Sequence, residues 1–251
     1  MLTRQRKRYI LDVLEREGQV VAKTLSHNLG LSEDTIRRDL RELAAEGRLQ
    51  RVHGGALPAS PAVADFAGRQ AIAPAGKVAI GRAAAGLVEN GQVVILDGGT
   101  TAVQIARHLA RDLKATVVTH SPTIAVELVG HPNVEVLIIG GWLFKHSVVA
   151  VGAAAAEAIG RIRADLYFMG VTGVHPQEGL STGDLEEAYI KRALSARAAE
   201  TLVLASHEKL GAVSPYLIAS LREVGGLIVE RGVAEEIAAP YLEAGLSLVR
   251  A

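Results

Sequence analysis

The sequence predicts an α/β protein in two parts: an N-terminal winged helix-turn-helix domain over residues 1–57 and an open α/β domain over residues 77–251, joined by a linker at residues 58–76. Three observations predict it. Between Ser32 and Pro58 a capped helical segment bearing an arginine pair runs into a short basic stretch that ends in glycines. The net charge of zero hides a division: residues 1–57 carry 11 Lys/Arg against 8 Asp/Glu, and the remainder carries 16 against 19. From Lys77 onward, short apolar runs alternate with helical stretches, the pattern of an open sheet with helices on both faces.

In the head, Thr3 is placed to cap a first helix that runs to about Glu17, with Ile10, Leu11 and Leu14 on one face and Gly18 at its end. Ala22, Leu25 and Leu29 give a short second helix, and Gly30-Leu31 a tight turn. Ser32 is a good N-cap for a third helix, with Glu33 and Asp34 in its positive first turn. Ile36, Leu40 and Leu43 then face a small core, which leaves Thr35, Arg37, Arg38 and Arg41 pointing away from it. Asp39 is expected to pair with a nearby arginine. Gly47 ends the helix, and Leu49 to Ala56 forms a hairpin carrying Arg51 and His53.

A helix N-terminus of this kind delivers side chains to base edges in the DNA major groove. Arginine reads guanine in bidentate fashion, or holds phosphate without reading sequence. Ser32, Thr35, Arg37, Arg38 and Arg41, with Arg51 and His53 on the hairpin backbone side, are therefore the candidate DNA-contacting residues. The alternative is a merely solvated basic face.

Composition bounds the rest. Of 251 residues, 49% are hydrophobic and 22% charged, so a packed chain is expected. The absence of cysteine excludes disulfides, thiolate catalysis and cysteine-based zinc sites. The eight histidines do not cluster at ligand spacing, so neither a metal nor a cofactor is expected. No apolar core follows the basic N-terminus and no run of about 18 apolar residues exists, so neither leader nor membrane span is expected, and a cytoplasmic location is.

The segment from Leu57 to Gly68, with Arg69 to Gly76 extending it, reads as a flexible connector. Candidate strands follow at 93–96, 116–118, 134–139, 166–169, 201–204 and 227–229, all read as buried on both faces. Candidate helices lie at 77–89, 102–111, 123–129, 152–159, 185–198 and 234–244. In such a sheet ligands bind beyond the carboxyl ends of the strands. Asp97-Gly98-Gly99-Thr100-Thr101 follows the first strand, Thr119-His120-Ser121 the second, Gly140-Gly141 the third, Gly170-Val171-Thr172-Gly173 the fourth and Ser206-His207-Glu208-Lys209 the fifth. The glycines and threonines of the first loop suit an anion such as phosphate, with Asp97 accepting from sugar hydroxyls. An ordinary strand-to-helix turn is the alternative. Asp184, Glu187 and Lys191 share one helix face, as a phosphate-neutralising group or as a surface ion pair.

Thr35-Ile36-Arg37-Arg38-Asp39-Leu40 and Arg51-Val52-His53-Gly54-Gly55-Ala56 resemble the DNA-binding signature of the DeoR family of bacterial transcription regulators. Gly179 to Leu194, and the order of the loop motifs, resemble that family's effector-binding domain, which is similar to ribose-5-phosphate isomerase. The resemblance implies a repressor of carbohydrate-metabolism genes, acting on operator DNA as a dimer or tetramer and relieved by a phosphorylated sugar. It implies a pocket lined by Asp97, Gly98, Gly99, Thr100, Thr101, Thr119, Gly141, Thr172, Asp184, Glu187, Lys191 and Lys209. The run Ala205-Ser206-His207-Glu208-Lys209-Leu210 departs from the family's usual pattern, with serine in place of an acid and leucine in place of phenylalanine. His120 stands where a neutral polar residue is usual, and Lys145 is a possible rim contact. Two other readings remain at this stage: a sugar-phosphate isomerase using Asp97, Asp184, Glu187 and Lys191, and a nucleoid-type DNA-binding protein without ligand response.

Overall fold

The computed structural model describes residues 2–251. The head comprises α1 (Thr3–Glu17), β1 (Val20–Val21), α2 (Ala22–Leu29), α3 (Glu33–Ala45), β2 (Leu49–Val52) and β3 (Gly55–Pro58). Ile10, Leu14, Leu25, Ile36, Leu40, Leu43 and Leu49 form its core. Thr3 does not cap α1. It is already the first helical residue, and the Gln5 side chain takes the expected part by accepting from the Leu2 amide. The hairpin extends to Pro58 rather than Ala56, because β3 pairs with β2 on one edge and with β1 on the other. That double pairing explains Gly55: a Cβ there would lie 1.9 Å from the Val20 carbonyl oxygen.

The expected flexible connector is instead ordered. Ser60 caps a 3-10 turn at Pro61–Val63, and Asp65 caps the short helix α4 (Phe66–Gln70). Small residues let this segment lie flat on the body. Val213 donates from its amide to the Pro58 carbonyl at 3.2 Å, the Phe66 amide donates to the His146 carbonyl at 2.7 Å, and Ser60 and Ala62 are buried.

The body begins with α5 (Pro74–Ala85), β4 (Val93–Leu96), α6 (Thr100–His108), β5 (Thr116–Thr119), α7 (Pro122–Leu128) and β6 (Glu135–Ile138). A hairpin, β7 (Trp142–Phe144) and β8 (Val149–Val151), and α8 (Ala153–Ile159) come next. There follow β9 (Ala164–Gly170), β10 (Gly173–His175), β11 (Gly179–Thr182), α9 (Leu185–Ser195), β12 (Ala198–Ala205), β13 (Tyr216–Ala219), β14 (Gly226–Val229), α10 (Glu235–Glu243) and β15 (Ser247–Arg250).

Seven strands form one sheet in the order β15-β14-β12-β9-β4-β5-β6, with every neighbouring pair parallel. Alternate residues feed two apolar layers. Ile95, Tyr167, Met169 and Val203 pack beneath α8, α9 and α10, while Val94, Leu96, Phe168 and Leu204 pack beneath α5 and α6. One expected buried strand is not buried: β6 is the sheet's edge, and all four of its residues are exposed. The antiparallel sheet β10-β11-β13 and the β7–β8 hairpin were not legible as strands, since each is short and lies among glycine and polar loop residues.

The chain leaves β4 for β5 and β6 on one side, then returns to place β9 on the other. The strand order therefore reverses between β4 and β9. That is the place where an open α/β sheet forms a crevice at its carboxyl edge.

Candidate functional site

The recognition surface is built on α3. Ser32 caps it: its Oγ accepts from the Thr35 amide at 3.3 Å and meets Thr35 Oγ1 at 2.9 Å. Arg37, Arg38 and Arg41 are exposed, as are Arg51 and His53 on the hairpin. Arg37, Arg51, His53 and Gly54 line one groove, so helix and hairpin present a single basic surface. Arg37 pairs with Glu33 at 2.9 Å across one exposed helical turn, a contact easily exchanged for a phosphate or base. The face is held from behind. Asp39 is buried and accepts both a bond from Arg6 Nε and one at 2.9 Å from Arg6 Nη2, so the expected arginine partner comes from α1, thirty-three positions earlier. This pair fixes α1 across the back of α3.

In the body, a small cavity opens among the loops that follow β4 and β9. Gly98, Gly99, Thr100, Thr101, Thr172, Glu187, Lys191 and Lys209 line it. Gly99 adopts φ 113° as the residue entering α6, and Gly99, Thr100 and Thr101 at that helix start line the cavity.

Four of the expected lining residues lie elsewhere. Thr119 is fully buried and accepts from the Ser121 amide. Gly141 packs against β8, where a Cβ would meet the Val151 carbonyl oxygen at 2.7 Å. Asp184 caps α9 through the Glu187 amide at 3.0 Å and faces a second cleft, between head and body. Asp97 is 0% exposed, and its carboxylate is saturated. Oδ1 accepts from the Gly98 amide and from His120 Nε2, each at 2.8 Å. Oδ2 accepts from Lys191 Nζ at 2.6 Å, the Gly170 amide at 2.8 Å and the Tyr167 hydroxyl at 3.0 Å. No acceptor site remains for a sugar hydroxyl. Burial works to raise the Asp97 carboxyl, but the Lys191 charge and the His120 hydrogen bond hold it well below the usual carboxylate range. Asp97 is the hub that ties β4 to β5, β9 and α9 and sets Lys191 in the cavity wall.

His120 is likewise sealed off from ligand. Its Nδ1 faces the Ala150 carbonyl at 2.9 Å and its Nε2 faces Asp97, so both ring nitrogens are engaged by the protein. Lys145 is exposed and away from the cavity lining, and Trp142, 82% exposed, lies on the β7 edge. At the departure from the family pattern, Ser206 turns toward a neighbouring acid. Ser206 Oγ donates to Glu208 Oε1 at 2.7 Å, so a carboxylate returns two residues later.

The sequence reading missed two cations of the lining, Arg69 and Lys77. Lys77 Nζ donates to the Arg69 carbonyl at 2.5 Å, and Arg69 Nε and Nη2 are buried without a partner. Arg69 is the only cation between residues 58 and 76, which was the one available signal. Burial pushes the Lys77 ammonium and the Arg69 guanidinium down, and the Lys209 ammonium down to about 8. Four cations thus face the cavity against one lining carboxylate, Glu187. Among the described residues no cluster of three or more His, Asp or Glu side chains could hold a metal ion, and no helix is long and apolar enough to cross a membrane.

Both halves match known families. Residues 6–61 match the DeoR-like helix-turn-helix domain, and residues 72–231 the DeoR C terminal sensor domain. The HTH-type transcriptional regulator GlpR of Haloferax volcanii is 34% identical over 251 residues, covering 99% of this chain and 98% of that protein. The HTH-type transcriptional repressor GlcR of Bacillus subtilis is 32% identical over 224 residues, covering 88% and 86% respectively. Among solved structures, ribose 5-phosphate isomerase A from Methanocaldococcus jannaschii superposes with a TM-score of 0.39 at 18% identity, over 53% of this chain and 52% of that one. A DNA-reading head joined to a sensor body, matched along its length by transcription regulators, makes this chain a non-enzymatic member of the DeoR family of helix-turn-helix transcriptional regulators.

Proposed function

We propose that the protein is a cytoplasmic repressor of carbohydrate-metabolism genes, released from operator DNA when a phosphorylated sugar occupies the β4–β9 cavity. The observation that carries the ligand class is the cavity itself. The start of α6, with Thr100 and Thr101, and the cations Arg69, Lys77, Lys191 and Lys209 line it. A phosphate dianion compensates their charge and supplies acceptors that the protein does not. The sign of regulation is supported by GlcR, a relative named as a repressor.

The isomerase alternative loses one of its four candidate groups, because Asp97 has no oxygen left for proton transfer. A ligand-indifferent nucleoid protein would have no use for a buried cationic cavity.

Operator reading by a helix-turn-helix protein commonly uses two heads on paired half-sites, so a homo-oligomer is part of the proposal. The unpaired edge β6 supports it: Val136, Leu137 and Ile138 are exposed there, and Val126 on α7, Val129 just after it, Trp142 and Leu143 are exposed as well. Such an edge invites pairing with a second copy. The test is a thermal-shift panel of phosphorylated sugars and polyols on the full chain, followed by DNA band shifts with the best stabiliser. Selective stabilisation with release of DNA supports the proposal, and indifference to every phosphate ester defeats it.

A further inference from the structure

The segment between head and body does more than connect. Three contacts fasten it to the body: Pro58 to Val213, Phe66 to His146, and the Arg69 carbonyl to Lys77. Its one cation, Arg69, stands in the wall of two spaces at once. One is the β4–β9 cavity. The other is the cleft between head and body, lined by Ala44, Gly47, Leu49 and Gln50 of the head and by Asp184 and Pro215 of the body.

Arg69 Nε and Nη2 are buried and bonded to nothing, although Glu187, the carboxylate attracting Arg69 most strongly, shares both walls with it. Guanidinium nitrogens in that condition are rare and costly, because each has surrendered water without gaining an acceptor. The acceptor geometry that suits them is a planar, bidentate one, as carboxylate or phosphate oxygens offer.

We propose that Arg69 is the coupling residue: its guanidinium closes on the phosphate of a ligand in the cavity, and the interdomain segment that carries it thereby shifts the head. Arg69 lies eleven positions after Pro58, the last residue of β3, and α3 ends against the same cleft. A movement of the Arg69 side chain toward the cavity withdraws it from the cleft wall on which the head rests. The ligand needs only a phosphomonoester for this step, and its sugar moiety sets which ester binds. The inference rests on the proposed phosphate-ester reading of the cavity.

The test uses the full chain with Arg69→Gln, Arg69→Lys and Lys209→Ala, titrated calorimetrically with inorganic phosphate and a set of pentose and hexose phosphates. Hydrogen exchange over residues 58–73 is measured with and without the tightest ester at saturation. Hydrogen bonds to charged groups account for about 10- to 100-fold in affinity. Arg69→Gln is expected to bind about tenfold or more weakly and, at saturation, to lose the ligand-induced protection of 58–73. Arg69→Lys keeps the charge and is expected to fall between, which covers a failure of the glutamine variant to fold. Lys209→Ala is expected to bind weakly yet keep the protection once saturated. Wild-type affinity or full protection in both Arg69 variants overturns the inference and leaves the cavity reading standing. Failure of the wild-type chain to bind any of these esters overturns both.

Discussion

The head and the body hold their functional groups in opposite ways. In the head, Arg37, Arg38, Arg41, Arg51 and His53 stand exposed on a helix and hairpin that are contiguous in sequence, and the buried pair Arg6–Asp39 supports them from behind. In the body, Lys191 and Lys209 are almost wholly buried, and the cavity draws on residues from 62 to 209. A surface that must meet DNA can remain hydrated until it does so. A site that must recognise a small anion gains from exclusion of water, and the cost is a buried network in which each charge needs a partner.

That contrast can be broken most forcefully at two buried carboxylates that hold a cation. Asp39→Ala strands Arg6 in the head, and Asp97→Asn strands Lys191 in the body. Removing one partner of a buried pair costs about 3–5 kcal/mol. Asp39→Ala should lower the unfolding free energy of the head while the body's hydrogen-exchange protection stays as in wild type, and Asp97→Asn should do the reverse. Loss of protection in both halves from either change would mean that the two are one cooperative unit.

The exposed face should behave differently. Arg37→Ala with Arg38→Ala removes two contacts worth about 1–3 kcal/mol each, so operator affinity should fall by roughly 30-fold or more with no change in melting temperature. A shifted melt would show that these arginines carry structural weight after all.

The smallest effect sharpens the electrostatic side of the comparison. Burial holds Lys209 down to about 8, below its free value, so it loses its proton as pH rises through that region. A bound phosphate ester favours the charged ammonium, so binding takes up a proton and affinity falls with rising pH. At pH 9 roughly a tenth of the unliganded Lys209 would be charged. Ester affinity should therefore drop by up to about tenfold between pH 7 and 9, and Lys209→Ala should flatten the profile. DNA binding by the head, whose exposed face carries no such buried lysine, should change far less over the same range.

Much of this was legible from residues alone where the decisive contacts are local. The Ser32 cap, the apolar spacing of Ile36, Leu40 and Leu43, and the glycine-threonine turn after β4 are all written within a few positions. The failures share a cause. Asp97 reads as a ligand group because its five partners, out to Lys191, lie up to 94 positions away. Arg69 reads as a connector residue and Lys77 as the start of an ordinary helix because nothing in their neighbourhood reports the cavity opposite them.

By itself, the sequence determined the two-part organisation, the capped recognition helix, the six strands that anchor the sheet and the loops at their carboxyl ends. These follow from periodicity, capping and turn chemistry, which act over short spans. Only the tertiary structure decided which of those loops share a cavity, that Asp97 is buried and saturated by protein partners behind it, and that Ala62 and Arg69 of the interdomain segment help to line it. Those outcomes depend on the reversal of strand order between β4 and β9 and on the burial of charges against distant partners. Both are properties of chain packing, which no short stretch of sequence encodes.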